Sequence, residues 1–309
     1  MAFCYPELSR WDCLYFRLGG PGLGNLLFPW ARAKLLSMRF GYRFIQPTWP
    51  QLKFGPFFRG EPDSRTYFSM FRSAPSDVQG CEKFRLMMLR NRIPEQLHES
   101  AGANDVVVVR GMGNLFHDIA SEFNYLSSEL HSILLSRRVD GISRSLGANA
   151  GIAIHVRFGD FMVADPDDSR QGGANRRQPI DWYINAVNAV RSILGYDVRV
   201  NVFSDGSEHD LARLLQCPSV FLVRGNSAIE DILLMGQHRL LIASGSTFSM
   251  WASFLGQVPT IWYPGQRKFR LVCDASAEVE LEDNGSLPSE FVQYVASRCT
   301  LATATATSA

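Results

Sequence analysis

Between residues 152 and 263 the chain alternates short apolar runs with amphipathic segments, and that alternation leaves few folds open. Ile152–Val156 reads as a buried strand. Pro179–Leu194 has helical periodicity, with Asp181 in its first turn, where the helix dipole favours an acid. Val198, Val200 and Val202 alternate with Arg199 and Asn201, a strand ending in Ser204-Asp205-Gly206. Helices over 208–216, 229–237 and 247–255 then alternate with strands over 219–223, 240–243 and 259–263. Strands separated by helices of about ten residues specify a parallel sheet built from right-handed βαβ units. In such sheets ligands bind outside the carboxyl ends of the strands, where the strand order reverses. Three predicted strands end in polar residues: His155-Val156-Arg157-Phe158-Gly159-Asp160, Ser204-Asp205-Gly206, and Ser244-Gly245-Ser246-Thr247-Phe248-Ser249. Together they define a candidate site.

The first half is less regular. Cys13–Leu18 reads as a short strand running into Gly19-Gly20-Pro21-Gly22-Leu23-Gly24-Asn25. A helix is expected over 26–38, strands over 42–45 and 106–109, and a helix over 123–139. The stretch 47–76, rich in Pro, Gly and Phe, gives no assignment. The small, polar residues 141–150 read as a boundary, so the 309 residues divide into domains of about 1–145 and 146–309. Thr300–Ala309 alternates Ala and Thr and is expected to fray.

Charge and cysteines narrow the function. With 31 basic and 30 acidic residues the net charge is +1. That leaves no global field for nucleic acid or an anionic membrane, so an anion has to be held by a local site. Only four of the basic residues are lysines (34, 53, 83 and 268), a bias that by itself says nothing about function. No stretch reads as apolar enough to cross a membrane, and Met1–Arg10 lacks the basic and then apolar pattern of a signal peptide. Six scattered cysteines point to a reduced, cytoplasmic protein without structural zinc. Peripheral membrane association is left open.

His155-x-Arg157-x-x-Asp160 is the sharpest motif. Residues two apart on a strand share a face, so one buried strand delivers a His and an Arg side by side. Arg157 could grip a diphosphate through charge-assisted hydrogen bonds, and Asp160 could orient it. A structural Arg–Asp pair is the alternative, but burying both polar groups without purpose is costly. The glycine-rich loop could bring backbone amides to a phosphate or could be only a tight turn. It is neither G-x-G-x-x-G opening a helix nor a P-loop. Glu230-Asp231 could cap a helix dipole or accept from a nucleobase. Ser246-Thr247 could be an N-cap or a phosphate site, with Phe248 against a base. Asp165-Pro166-Asp167-Asp168 contains a D-x-D able to hold a divalent ion, but it sits in a long polar stretch, 164–178, that reads as a mobile loop.

Three segments in this order resemble the α1,2/α1,6/protein-O-fucosyltransferase superfamily, its α1,2-fucosyltransferase branch above all. Gly20-Pro21-Gly22-Leu23-Gly24-Asn25-Leu26-Leu27-Phe28 resembles that family's G-G-L-G-N-Q-x-F. Ile154–Asp160 resembles its H-x-R-R-G-D. Glu230–Met235 followed by Ile242–Trp251 resembles its E-D-L-x-L-M and I-x-S-x-S-S-F-S-W-W. The resemblance implies a GT-B-like α/β fold of two Rossmann-type domains facing across a cleft, the first on the acceptor side and the second binding GDP. It implies an inverting, metal-independent transfer of fucose from GDP-fucose to a glycan, with no further cofactor. By position, Arg157 and His155 would be catalytic at the β-phosphate. Asp231 would accept from guanine, Ser246, Thr247 and Phe248 would line the nucleotide pocket, and Gly24, Asn25, Asp160, Ser204 and Asp205 would complete the donor site. The chain departs from the pattern at Phe158 (the second Arg), Leu26 (the Gln), the inserted Pro21 and Ala252 (the second Trp). These departures keep open a same-fold transferase using another nucleotide-sugar. A non-catalytic nucleotide-sugar or glycan-binding protein is the alternative from another class.

Overall fold

The structure is a computed structural model. It describes every residue except 54–65, 136–150, 160, 164–175, 196–197, 284 and 307–309. The chain forms two compact units, Met1–Asp140 and Gly141–Ala309. The expected boundary near 145 lies outside the described residues, as does the D-x-D at 165–168.

Unit 1 is built on a four-stranded parallel sheet. Its strands are β1 (Phe3–Glu7), β3 (Arg43–Phe44), β5 (Asn91–Pro94) and β6 (Asp105–Arg110), in the order β3-β1-β6-β5. Phe3, Tyr5, Val106 and Val108 share one face and pack with Ile45, Val78, Leu86 and Met87. β2 (Arg17–Leu18) and β4 (Gln51–Leu52) make a separate short pair. Helix α1 (Leu23–Phe40) follows the glycine-rich loop, α2 is Gly80–Leu89 and α3 is Phe123–Ser132. Twelve of the first thirteen residues of α1 are buried, and its cations are neutralised inside the unit. Arg32 makes a two-pronged pair with Glu95 at 3.0 Å on each prong. Lys34 reaches Asp77 at 3.2 Å and Glu129 at 3.0 Å.

Unit 2 holds a six-stranded parallel sheet. In chain order its strands are β7 (Ile152–Val156), β10 (Val200–Ser204), β11 (Val220–Leu222), β12 (Leu240–Ala243), β13 (Thr260–Trp262) and β14 (Glu278–Glu280). Their spatial order is β11-β10-β7-β12-β13-β14. Counted within the unit this is 3-2-1-4-5-6, the doubly wound order whose reversal falls between its first and fourth strands. β7 is that first strand and β12 the fourth. A small parallel pair, β8 (Met162–Val163) and β9 (Arg176–Arg177), follows β7 in the chain. The helices are α4 (Ile180–Leu194), α5 (Ala212–Leu215), α6 (Ala228–Gly236), α7 (Thr247–Gly256) and α8 (Ser289–Ala306).

One face of the sheet, with Ile152, Ile154, Val156, Val200, Val202, Leu240 and Ile242, packs against Trp182, Tyr183, Ala186, Val187 and Val190 of α4 and Phe291 and Val295 of α8. β7 is buried on both faces, as an interior parallel strand should be. α6 and α7 meet backbone to backbone. A methyl group on Gly256 would lie 2.2 Å from the Gly236 carbonyl oxygen, so only glycine permits the approach. Ala252 is fully buried at this crossing, and its carbonyl lies 2.8 Å from where a Gly236 methyl group would stand.

Several expectations need correction. The strand expected over Cys13–Leu18 shortens to β2, and β1 precedes it. The first turn of α1 takes in Gly24 and Asn25, which were expected in the loop. The polar stretch before α4 is not all loop, because Arg176–Arg177 is a strand paired with Met162–Val163. The last helix extends to Ala306, where fraying was expected from Thr300. The helix expected over 208–216 contracts to α5.

Candidate functional site

The carboxyl ends of β7, β10 and β12 lie level. Phe203 pairs with His155, Ser204 with Val156, and Ile242 with Ile154. The order reversal therefore carries His155 and Arg157 from β7, Ser204 and Asp205 from β10, and Ser244 and Ser246 from the turn after β12. In a parallel sheet a helix that follows a strand begins at the strand's carboxyl end. The α6 N-terminus, with Glu230 and Asp231, thus lies at the same edge, as do Thr247 and Phe248 of α7.

His155 is the buried centre of this edge. Its Nδ1 lies 2.8 Å from Ser244 Oγ and 3.3 Å from Ser246 Oγ, and its ring stacks on Phe248 with centroids 5.1 Å apart. The serines form a closed hydroxyl cluster with Ser249, whose amide donates to Ser246 Oγ at 3.4 Å as Ser246 caps α7. Burial, and then the positive charge of Arg157, pull the His155 pKa down to about 3. The imidazole is neutral at physiological pH. It is a hydrogen-bonding anchor for the serine turn, and the cation at this strand end is Arg157. Phe248, expected against a base, packs on His155.

Arg157 lies one residue beyond β7. Its Nη1 pairs with Asp205 Oδ2, and the other oxygen of Asp205 accepts the Phe158 amide at 2.8 Å. One carboxylate thus fixes both the guanidinium and the backbone behind it. Two glycines make room. A methyl group on Gly159 would stand 2.4 Å from Asp205 Oδ2, and one on Gly206 would stand 2.4 Å from the Phe158 ring. Asp160, expected to orient Arg157, lies outside the described residues. The turn carrying Asp205 is closed by the Gly206 amide on Ser204 Oγ at 3.0 Å and by Arg224, whose two Nη groups reach the Ser204 and Gly206 carbonyls.

The remaining expected residues are placed as follows. Glu230 closes a capping box on α6, accepting from the Ser227 amide at 2.7 Å and the Ser227 hydroxyl at 2.6 Å, so its capping reading stands. Asp231, one position on, accepts from Asn226 Nδ2 at 3.0 Å. Thr247 is the first residue of α7. In unit 1 the glycine loop has positive φ at Gly19 and Gly20, a turn that glycine makes without strain. Asn25 lies in the first turn of α1, and Leu26 is fully buried, a core position here. Sequence reasoning missed Arg224, and it missed Gln266, whose side chain would stand 2.5 Å from a methyl group on Gly245. No local pattern marks either residue, because each acts across a turn made by distant parts of the chain. Among the described residues, no group of three or more His, Cys, Asp or Glu side chains is placed to hold a metal ion.

The buried histidines set an acid limit on stability. His238 Nδ1 donates to the Leu234 carbonyl (2.7 Å) and its Nε2 accepts from Asn201 Nδ2 (2.9 Å), and burial lowers its pKa to about 4. Unfolded, each imidazole would bind a proton near pH 6.5. The unfolded state therefore takes up more protons between pH 6.5 and about 4. Stability is full above that window and falls as the pH drops through it, by up to roughly 1.4 kcal/mol per pH unit per histidine. Thermal melts are expected to show a lower Tm at pH 5 than at pH 7, with a shallower acid slope in His155→Asn. Equal melting temperatures at the two pH values would contradict this.

Residues 114–263 match the profile of glycosyl transferase family 11. The kinship read from the motifs therefore holds over that stretch, which contains the Arg157 and Ser246 segments but not the glycine loop. Over those residues the chain is similar to a glycosyltransferase family. POFUT1 in complex with GDP-fucose is similar in fold at 12% identity, TM-score 0.53, covering 84% of this chain and 97% of that one. A second POFUT1 structure, in complex with GDP, has 11% identity, TM-score 0.53 and coverage of 84% and 98%. The fucosyltransferase NodZ from Bradyrhizobium aligns at 16% identity, TM-score 0.49, covering 84% and 96%. At 11–12% identity the likeness to POFUT1 shows the fold alone, an α/β fold with parallel sheets. No curated protein sequence matches the chain. Among the described residues, no helix is long and apolar enough to cross a membrane.

Proposed function

We propose that the protein transfers fucose from GDP-fucose to a glycan, in α1,2 linkage, with inversion and without a metal. The observation that carries this reading is Arg157, held by Asp205 at the order reversal of a doubly wound sheet inside the stretch that matches a glycosyltransferase family. The departing GDP builds up negative charge. A fixed guanidinium aimed at that charge stabilises the transition state in the way that usually contributes most to catalysis. The guanidinium supplies the charge that other transferases take from a divalent ion, so no cofactor is called for. Under this reading Asp231 accepts from guanine, Ser246 and Thr247 present hydroxyls to the nucleotide, and the two units are the halves of a GT-B architecture, with unit 1 on the acceptor side. His155, neutral and buried, shapes the serine turn rather than bringing charge.

A panel of nucleotide-sugars incubated with purified protein and galactoside acceptors tests the reading. Turnover of GDP-fucose is expected, undiminished by EDTA. NMR of the product should give a 2-linked fucose of opposite anomeric configuration to the donor. Turnover of a different nucleotide-sugar, with none of GDP-fucose, would overturn it.

A further inference from the structure

We propose that Arg177 is a second diphosphate-binding arginine of this site, set beside Arg157 by the Phe158 and Phe161 rings. The inference rests on the donor reading above and adds a residue to it. Arg177 belongs to β9, which pairs with β8 just downstream of Arg157. Its guanidinium carbon lies 5.2 Å from the Phe158 ring centroid, and its Nε donates to the Phe161 carbonyl at 2.7 Å. The Phe161 ring is in turn 5.6 Å from the Arg157 guanidinium carbon. The two arginines thus flank one pair of phenylalanines. The platform is rigid, because Phe158 is fixed through its amide by Asp205 and through its ring by the bare face of Gly206.

The two cations differ in their neutralisation. Arg157 has Asp205. Arg177 makes no ion pair with a carboxylate among the described residues, and its contacts there use Nε and the face of the guanidinium. Asp210, which feels its field, is committed to the Ser207 amide at 2.9 Å and hydroxyl at 2.7 Å. A half-buried guanidinium is costly unless an anion meets it. Two guanidinia set against the Phe158 and Phe161 pair match an anion of more than one charge. A nucleoside diphosphate provides one, and the planar fork of Arg suits its oxygens.

Calorimetric titration of the full chain with GDP and with guanosine tests this. Arg177→Gln is expected to weaken GDP about tenfold or more, the loss of one charge-assisted contact, while guanosine binding stays as in wild type. Arg177→Lys, which keeps the charge and loses the fork, should fall between. The dependence of GDP affinity on salt should be shallower in Arg177→Gln. Unchanged GDP affinity in Arg177→Gln would overturn the proposal and leave the donor reading intact. An equal loss of GDP and guanosine would assign Arg177 a structural role and overturn it too. A wild-type protein that binds no GDP would overturn both the proposal and the donor reading.

Discussion

Arg157→Lys is expected to lower turnover of GDP-fucose by about 10²-fold or more, comparable with the loss of one pre-set transition-state donor. Lysine keeps the charge but replaces a planar fork with a point charge on a flexible stem. The fork matters because Arg157 has two tasks at once. Nη1 is committed to Asp205, and the rest of the guanidinium has to hold a fixed direction while it meets the departing phosphate. A lysine ammonium paired with Asp205 would be drawn away from that direction. The loss should appear in kcat more than in KM, because the charge it answers develops only in the transition state. Near-normal turnover in the purified variant would remove Arg157 from the chemistry.

Asp205→Asn is expected to cost about tenfold to 10²-fold in turnover with a modest loss of stability. The amide oxygen can still accept the Phe158 amide, but the amide nitrogen then faces Arg157 donor to donor. The guanidinium loses its orienting partner and the platform keeps its backbone bond. With 19% and 17% of the Arg157 and Asp205 side chains exposed, the loss of this pair is partly screened by solvent. Rescue by Asp205→Glu would be poor, since Gly159 leaves no room for a longer carboxylate. If Asp205→Asn turned over GDP-fucose at the wild-type rate, Asp205 would be a surface pair and no more.

Much of unit 2 was legible because burial on both faces leaves continuous apolar runs with polar punctuation. β7 and β12 lie where Ile152–Val156 and Leu240–Ala243 predict them, and α7 starts where Ser246 offers a cap. Unit 1 was less legible. Its central strand β1 contains Pro6, which argues against a strand interior. The proline is tolerated because β3 ends at Phe44, opposite Cys4, so nothing on that side pairs with Pro6. The candidate site was legible as a set of strand ends but not as a network. Arg157 and Asp205 are 48 residues apart, and only the β7–β10 register brings them together. The sequence pattern placed His155 and Arg157 side by side at one strand end. That burial keeps His155 neutral is a property that composition and spacing do not carry. Arg177 sat in a stretch that read as a polar loop, and only its strand pairing with Val163 brings it to Phe158.

The central claim is that the strand ends of unit 2 form a guanosine-diphosphate site. Titration of wild-type protein with GDP, GMP and UDP tests it most directly. The account predicts that GDP binds more tightly than GMP, because the second phosphate meets the arginines, and more tightly than UDP, because Asp231 accepts from guanine. GDP bound no more tightly than GMP and UDP would contradict it.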